Sequence, residues 1–110
     1  MDINTSNFPD EVLKSAKPVL VDFWKNGCWP CEMMARSLKE IAPELAGTVK
    51  IVKLNANENP ELAAQYGARA FPTLAIFKGG ELAGIFVGAI PTTELRSWTS
   101  KIVQTTEETR

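Results

Sequence analysis

Cys28-Trp29-Pro30-Cys31 is the segment of this 110-residue chain best equipped for chemistry. Two cysteines spaced by two residues at a helix start can close a small disulfide ring with little backbone movement. The first turn of a helix leaves backbone N–H groups unpaired, and Cys28, on the loop side, turns its sulfur toward them. Those dipoles favour the thiolate, which is the nucleophile in disulfide exchange. Pro30 suits the first helical turn and has no N–H of its own, so the N–H of Cys31 is the donor expected to face the Cys28 sulfur.

Other uses of two thiols are narrower. Free cysteines often only pack in cores, but a strand-loop-CxxC-helix pattern with a proline between the cysteines is more specific than that. Zinc wants four ligands, and the chain has two cysteines and no histidine. Only a dimer pooling two pairs could hold zinc or an iron–sulfur cluster, which leaves a dimeric CxxC metal protein as an alternative. The absence of histidine also removes Ser-His-Asp chemistry. Asp22, inside the apolar run Val19-Leu20-Val21-Asp22-Phe23-Trp24, is a second candidate. A carboxylate buried there is costly, so its pKa is expected to rise toward neutrality.

The elements that must position these groups follow from periodicity and punctuation. Pro9, Asp10 and Glu11 open a first helix, with Phe8, Val12 and Leu13 as its apolar stripe, and Pro18 stops it. Residues 19–24 read as a strand buried on both faces. From Cys31 a helix runs to about Leu45, burying Met34, Leu38, Ile41, Ala42 and Leu45. Pro43 inside it predicts a kink or break near Ala42, and Gly47 ends it. Residues 49–55 form a second strand. Asn59-Pro60-Glu61 opens a short helix closed by Gly67 as a left-handed cap. Residues 73–78 and 81–87 flank Gly79-Gly80 as a hairpin. A last helix turns Leu95, Trp98, Ile102 and Val103 inward. Alternating helices and strands imply a parallel pair, and the hairpin adds antiparallel strands. The expectation is one α/β domain over residues 1–104, a mixed sheet covered by helices on both faces, with residues 105–110 as a flexible tail.

Composition narrows the function. Twelve basic and thirteen acidic residues give a net charge of −1 with no basic run, so no nucleic-acid partner is expected. No apolar stretch approaches the roughly 18–20 residues that span a bilayer. Met1-Asp2-Ile3-Asn4-Thr5 lacks the positive flank and apolar run of a secretory signal, so a cytoplasmic location is expected and no membrane association.

Val21-Asp22-Phe23-Trp24, Cys28-x-Pro30-Cys31, Lys53-Leu54-Asn55, Phe71-Pro72-Thr73-Leu74, Phe77-Lys78-Gly79-Gly80 and Val87-Gly88-Ala89 resemble, in order and spacing, the signature segments of thioredoxins. The resemblance runs from about Phe8 to Val103. It implies the thioredoxin fold, a mixed sheet of four main strands plus a short or frayed N-terminal one, flanked by four helices. It also implies a protein-disulfide reductase with no bound cofactor, in which Cys28 attacks a substrate disulfide, Cys31 resolves the mixed disulfide, and the two form a redox-active disulfide. Asp22 then corresponds to the buried aspartate that handles the proton of the resolving thiol through water, and Lys53 to its basic partner. Pro72 corresponds to a cis-proline that turns the Phe71 backbone toward the cysteines. Gly88 and Ala89 line the same substrate groove, with Trp29 and Pro30 on the ring itself and Trp24 beside the loop. Implied partners are disulfide-containing proteins and an electron donor, either a nicotinamide-dependent flavoprotein reductase or a thiol partner. A monomeric working form is expected.

Four departures from the family pattern concern partners and redox poise. Tryptophan usually precedes the first cysteine and glycine follows it, whereas here Gly27 and Trp29 stand in those places. Trp29 presents an apolar surface between the cysteines, a contact for a docking client; a dedicated adapter for one client is the alternative this raises. Glu32 replaces a basic residue after the second cysteine, a like charge worth only about 1 kcal/mol at about 4 Å in water. Arg36 stands where the family kinks its helix with proline, which moves the expected kink to Pro43. Only Met1 to Asn4 remain for the first strand.

Overall fold

The structure, a computed structural model, describes residues 1–105. Five strands are present: β1 (Asp2–Ile3), β2 (Val19–Trp24), β3 (Lys50–Asn55), β4 (Thr73–Lys78) and β5 (Glu81–Val87). They form one sheet in the order β1-β3-β2-β4-β5. β2 runs parallel to β3 and antiparallel to β4, and β5 returns antiparallel to β4. β2 therefore lies at the centre, and its first five residues are all buried, as a β-branched and aromatic run between two faces of helix requires. β1 has only two residues, in register with Lys53 and Leu54, so this edge is short as expected.

The helices are a five-residue turn wound as a π-helix (Pro9–Leu13), α1 (Trp29–Leu45), α2 (Pro60–Gln65) and α3 (Thr92–Thr105). On one face of the sheet Phe8, Val12, Leu62 and Ala63 pack over Val21, Phe23, Val52 and Phe77. Phe8, Tyr66 and Phe77 meet there with ring centroids 5.1–5.7 Å apart. On the other face Met34, Leu38 and Ile41 of α1 and Leu95 of α3 cover Leu20, Leu74 and Ile76. Arg96 of α3 reaches α1 by donating from Nε and Nη2 to the Glu44 carboxylate at 2.7 and 2.9 Å.

Two expectations are revised. α1 begins at Trp29, so both residues inside the dithiol ring belong to its first turn. It also runs unbroken through Pro43 to Leu45. Pro43 has only two helical residues after it, so a single bond, the one to the Lys39 carbonyl, is forgone. The buried stripe Met34, Leu38, Ile41 and Leu45 spans the proline, and burying Leu45 offsets that loss. The two-glycine hairpin forms as read: Gly79 and Gly80 have φ of +59° and +83°, the left-handed pair that a tight hairpin turn needs. α3 continues through Gln104 to Thr105, and the rest of the expected tail, residues 106–110, lies outside the described residues.

Candidate active site

The loop leaving central strand β2 delivers the dithiol to the start of α1. Asn26 N–H donates to Asn57 Oδ1 at 2.7 Å and Asn55 Nδ2 donates to Asn26 Oδ1, so the loop is moored to the turn after β3. Gly27 then takes φ of +68°, a left-handed conformation disfavoured for any side chain with a Cβ. This turn sets Cys28 as the N-cap of α1 with extended backbone. Its Sγ accepts the Cys31 N–H at 3.2 Å, the donor anticipated from the position of Pro30. Cys28 and Cys31 are joined as a disulfide and both are buried. The Asn26–Asn57 mooring was not foreseen; the asparagine-rich run Asn55-Ala56-Asn57-Glu58-Asn59 was its available signal.

Three more segments converge on this ring. The Phe71–Pro72 peptide bond is cis. The Phe71 carbonyl oxygen lies 3.8 Å from Cys28 Sγ, within reach of a thiol proton in the reduced form. Gly88 N–H donates to the Pro72 carbonyl at 2.8 Å, which ties the end of β5 to the proline loop. Ala89 follows, half-buried. Lys25 holds its ammonium 5.5 Å from the centre of the Phe71 ring. Trp29 and Pro30 face outward on the ring, Trp29 with 69% of its surface exposed. Trp24 lines the hollow beside Cys28.

Asp22 lies behind the disulfide. It is fully buried on β2, in register with Lys53 of β3 on one side and Leu74 of β4 on the other. Neither carboxylate oxygen has a hydrogen-bond partner among the described residues. Burial pushes the pKa of Asp22 up from 3.8 to about 7, against a smaller downward pull from the Lys53 ammonium. Lys53 acts through space: its Nζ rests 5.5 Å from the centre of the Trp24 ring. Asp22, Lys53, Cys28, Cys31 and Glu32 line one cavity of about 220 Å³. A water occupies about 30 Å³ of liquid, so this space can hold a short polar chain between carboxylate and sulfur.

A helix-capped pair of sulfurs, with a titratable carboxyl behind it and an exposed aromatic in front, can exchange its dithiol for a disulfide by passing two electrons to a partner's disulfide. Fold and site thus define the class, a thiol–disulfide oxidoreductase. The thioredoxin family model matches residues 1–101. Thioredoxin 1 of Nostoc sp. is 52% identical over 93 residues, covering 84% of this chain and 87% of its own. The thioredoxin of Synechocystis sp. is 50% identical over 99 residues, 90% of this chain and 92% of its own. That of Haemophilus influenzae is 45% identical over 98 residues, 89% and 92%. The chain belongs to the thioredoxin family. Membership implies disulfide-containing protein substrates, a reductase as electron donor and no resident cofactor. No helix among the described residues is long and apolar enough to cross a membrane.

Proposed function

We propose that this chain is a cytoplasmic, monomeric reductant of protein disulfides, working through an atypical Cys-Trp-Pro-Cys centre. The observation that carries the reading is the 3.2 Å hydrogen bond from Cys31 N–H to Cys28 Sγ at the mouth of α1. In the reduced state that donor and the helix dipole stabilise negative charge on Cys28. The Cys28 thiolate attacks one sulfur of a substrate disulfide, forming a mixed disulfide and expelling the other sulfur as thiolate. Asp22 takes the Cys31 proton through water in the shared cavity, with Lys53 keeping the carboxylate ionised. Cys31 thiolate then attacks Cys28 Sγ, releases the second substrate thiolate and closes the Cys28–Cys31 disulfide. Two electrons have moved to the substrate, and its two thiolates take up protons from Cys31 and from solvent. A nicotinamide-dependent flavoprotein reductase, or a thiol partner, returns the pair to the dithiol.

Client strands bind in a groove made by Trp29, Pro30, Phe71, Pro72, Gly88 and Ala89. The exposure of Trp29 also supports a narrower use, an adapter dedicated to one client. Turnover of a protein disulfide with a dithiol donor tests the main reading, and Cys28→Ser is expected to abolish it. Folded protein inert toward several substrates and donors would overturn it. Cys31→Ser traps clients as mixed disulfides, and capture of a single client would favour the adapter. The measured reduction potential separates a reductant from an oxidant.

A further inference from the structure

A second hollow adjoins the redox cavity. β1 pairs with only Lys53 and Leu54, which leaves the first half of β3 without an edge strand. Across from it α1 carries Ala35 and Ala42, whose small side chains leave a space of about 450 Å³, with Ile51 of β3 on the opposite wall. That volume lies in the range of small-molecule sites. Arg36, Lys39 and Lys53 all line it, and no carboxylate does among the described residues. Five cations elsewhere are engaged by oxygen partners. Lys14, Lys50 and Arg96 pair with carboxylates, and Lys17 and Lys78 donate to carbonyl oxygens. Arg36, Lys39 and Lys53 make no ion pair and donate no hydrogen bond among the described residues.

We propose that this hollow binds a phosphate monoester with an apolar or aromatic body, and that the bound anion governs the redox centre through Lys53. The phosphate end suits a planar guanidinium beside two ammonium groups, and the body suits a wall of alanine and isoleucine. Lys53 and Ala35 line both this hollow and the cavity holding Asp22 and Cys31, so the two spaces share a wall. Apart from Lys53 of β3, the charged or titratable groups around Asp22 are Lys25 of the preceding loop and Cys28, Cys31 and Glu32 at the start of α1; β4 sets Leu74 against it. A dianion against Lys53 cancels part of the field that favours the Asp22 carboxylate, so the acid form gains at neutral pH. With its pKa near 7, Asp22 is about half ionised there. A tenfold loss of acidity would leave about one tenth ionised and slow proton removal from Cys31 about fivefold. This second step rests on the proposed role of Asp22; binding does not.

The test uses the oxidised full-length chain and phenyl phosphate, followed by amide chemical shifts. Saturable shifts on residues 35–42 and 51–53 are expected, with weaker binding of phenol and of inorganic phosphate. Arg36 and Lys39 are exposed, so Arg36→Gln with Lys39→Gln keeps the fold and its turnover while weakening the probe about tenfold. No saturable shift, shifts confined to another surface, or equal binding by the double variant would overturn the site. The Asp22 carboxyl is then titrated with and without saturating probe. A higher midpoint supports the coupling, and an unchanged midpoint overturns it. Failure of the Asp22 role itself would show separately, as undiminished turnover of Asp22→Asn without any probe.

Discussion

Replacing Asp22 by asparagine should stabilise the oxidised protein, and by an amount that depends on pH in a prescribed way. The carboxyl is fully buried and neither oxygen finds a partner among the described residues. Its pKa is 3.8 in the unfolded reference and about 7 in the folded chain. Well below pH 3.8 the group is neutral in both states, so the buried acid and the buried amide cost about the same. As pH rises from 3.8 toward 7 the unfolded chain ionises first and gains what the folded chain cannot. Stability of the parent therefore falls by about 1.4 kcal/mol per pH unit across that window and levels off above it. The full gap corresponds to about 4 kcal/mol. Urea unfolding of parent and Asp22→Asn, both with the disulfide intact, measures the difference at each pH. Near-equal stabilities well below pH 3.8, with the variant ahead by up to about 4 kcal/mol above pH 7, are expected. A difference that does not vary with pH would refute the assignment of a buried, unpaired carboxyl. The same variant should reduce disulfides more slowly above pH 7, since Cys31 then loses its proton acceptor.

The other expectations concern neighbouring parts of the site and its frame. Lys53→Gln removes the pull that lowers the Asp22 pKa, so the rising limb of the turnover profile should move to higher pH; an unmoved limb would uncouple the two residues. Reduced Cys28 should react with iodoacetamide at neutral pH several-fold faster than a peptide cysteine, given about 1–2 kcal/mol from the helix terminus; parity would remove the basis for its nucleophilic role. Trp29→Ala should leave the unfolding midpoint unchanged because the side chain is largely exposed. It should raise KM for protein clients about fivefold to thirtyfold, as loss of a contact anchor does, with little change for a small disulfide. Gly80→Ala should cost about 2–3 kcal/mol by denaturant titration, because φ is +83° and the added Cβ would meet the Leu13 carbonyl oxygen at 2.8 Å.

Much of this protein was readable along the chain. Residues 19–24 and the hairpin about Gly79-Gly80 formed as expected because strand periodicity and glycine turns are local. The contact between Cys31 N–H and Cys28 Sγ was equally local: a helix N-terminus, a proline and a spacing of two residues determine it. Pro72 and Lys53 were reached only through resemblance. Nothing in the composition of their segments says that a carbonyl 43 residues from Cys28 meets its sulfur, or that Lys53 stands in register with Asp22. The break expected at Pro43 failed for a related reason. Local rules weigh the lost hydrogen bond, while the apolar stripe that keeps the helix unbroken through it exists only once α1 lies on the sheet.

The direction of the Asp22 shift was legible in its apolar strand, but tertiary structure decided the charges that surround it. Asp22 has a pKa near neutrality because strands on both sides bury its carboxyl and the Lys53 ammonium acts on it only from a distance. Arg36, Lys39 and Lys53 become a cluster because a two-residue edge strand leaves β3 uncovered opposite the small residues of α1. Residue types and their spacing specify which groups are available and how the backbone near them turns. The strength of one charge's effect on another depends on distance and on the surrounding dielectric, and only the packing of segments remote in sequence sets those two quantities.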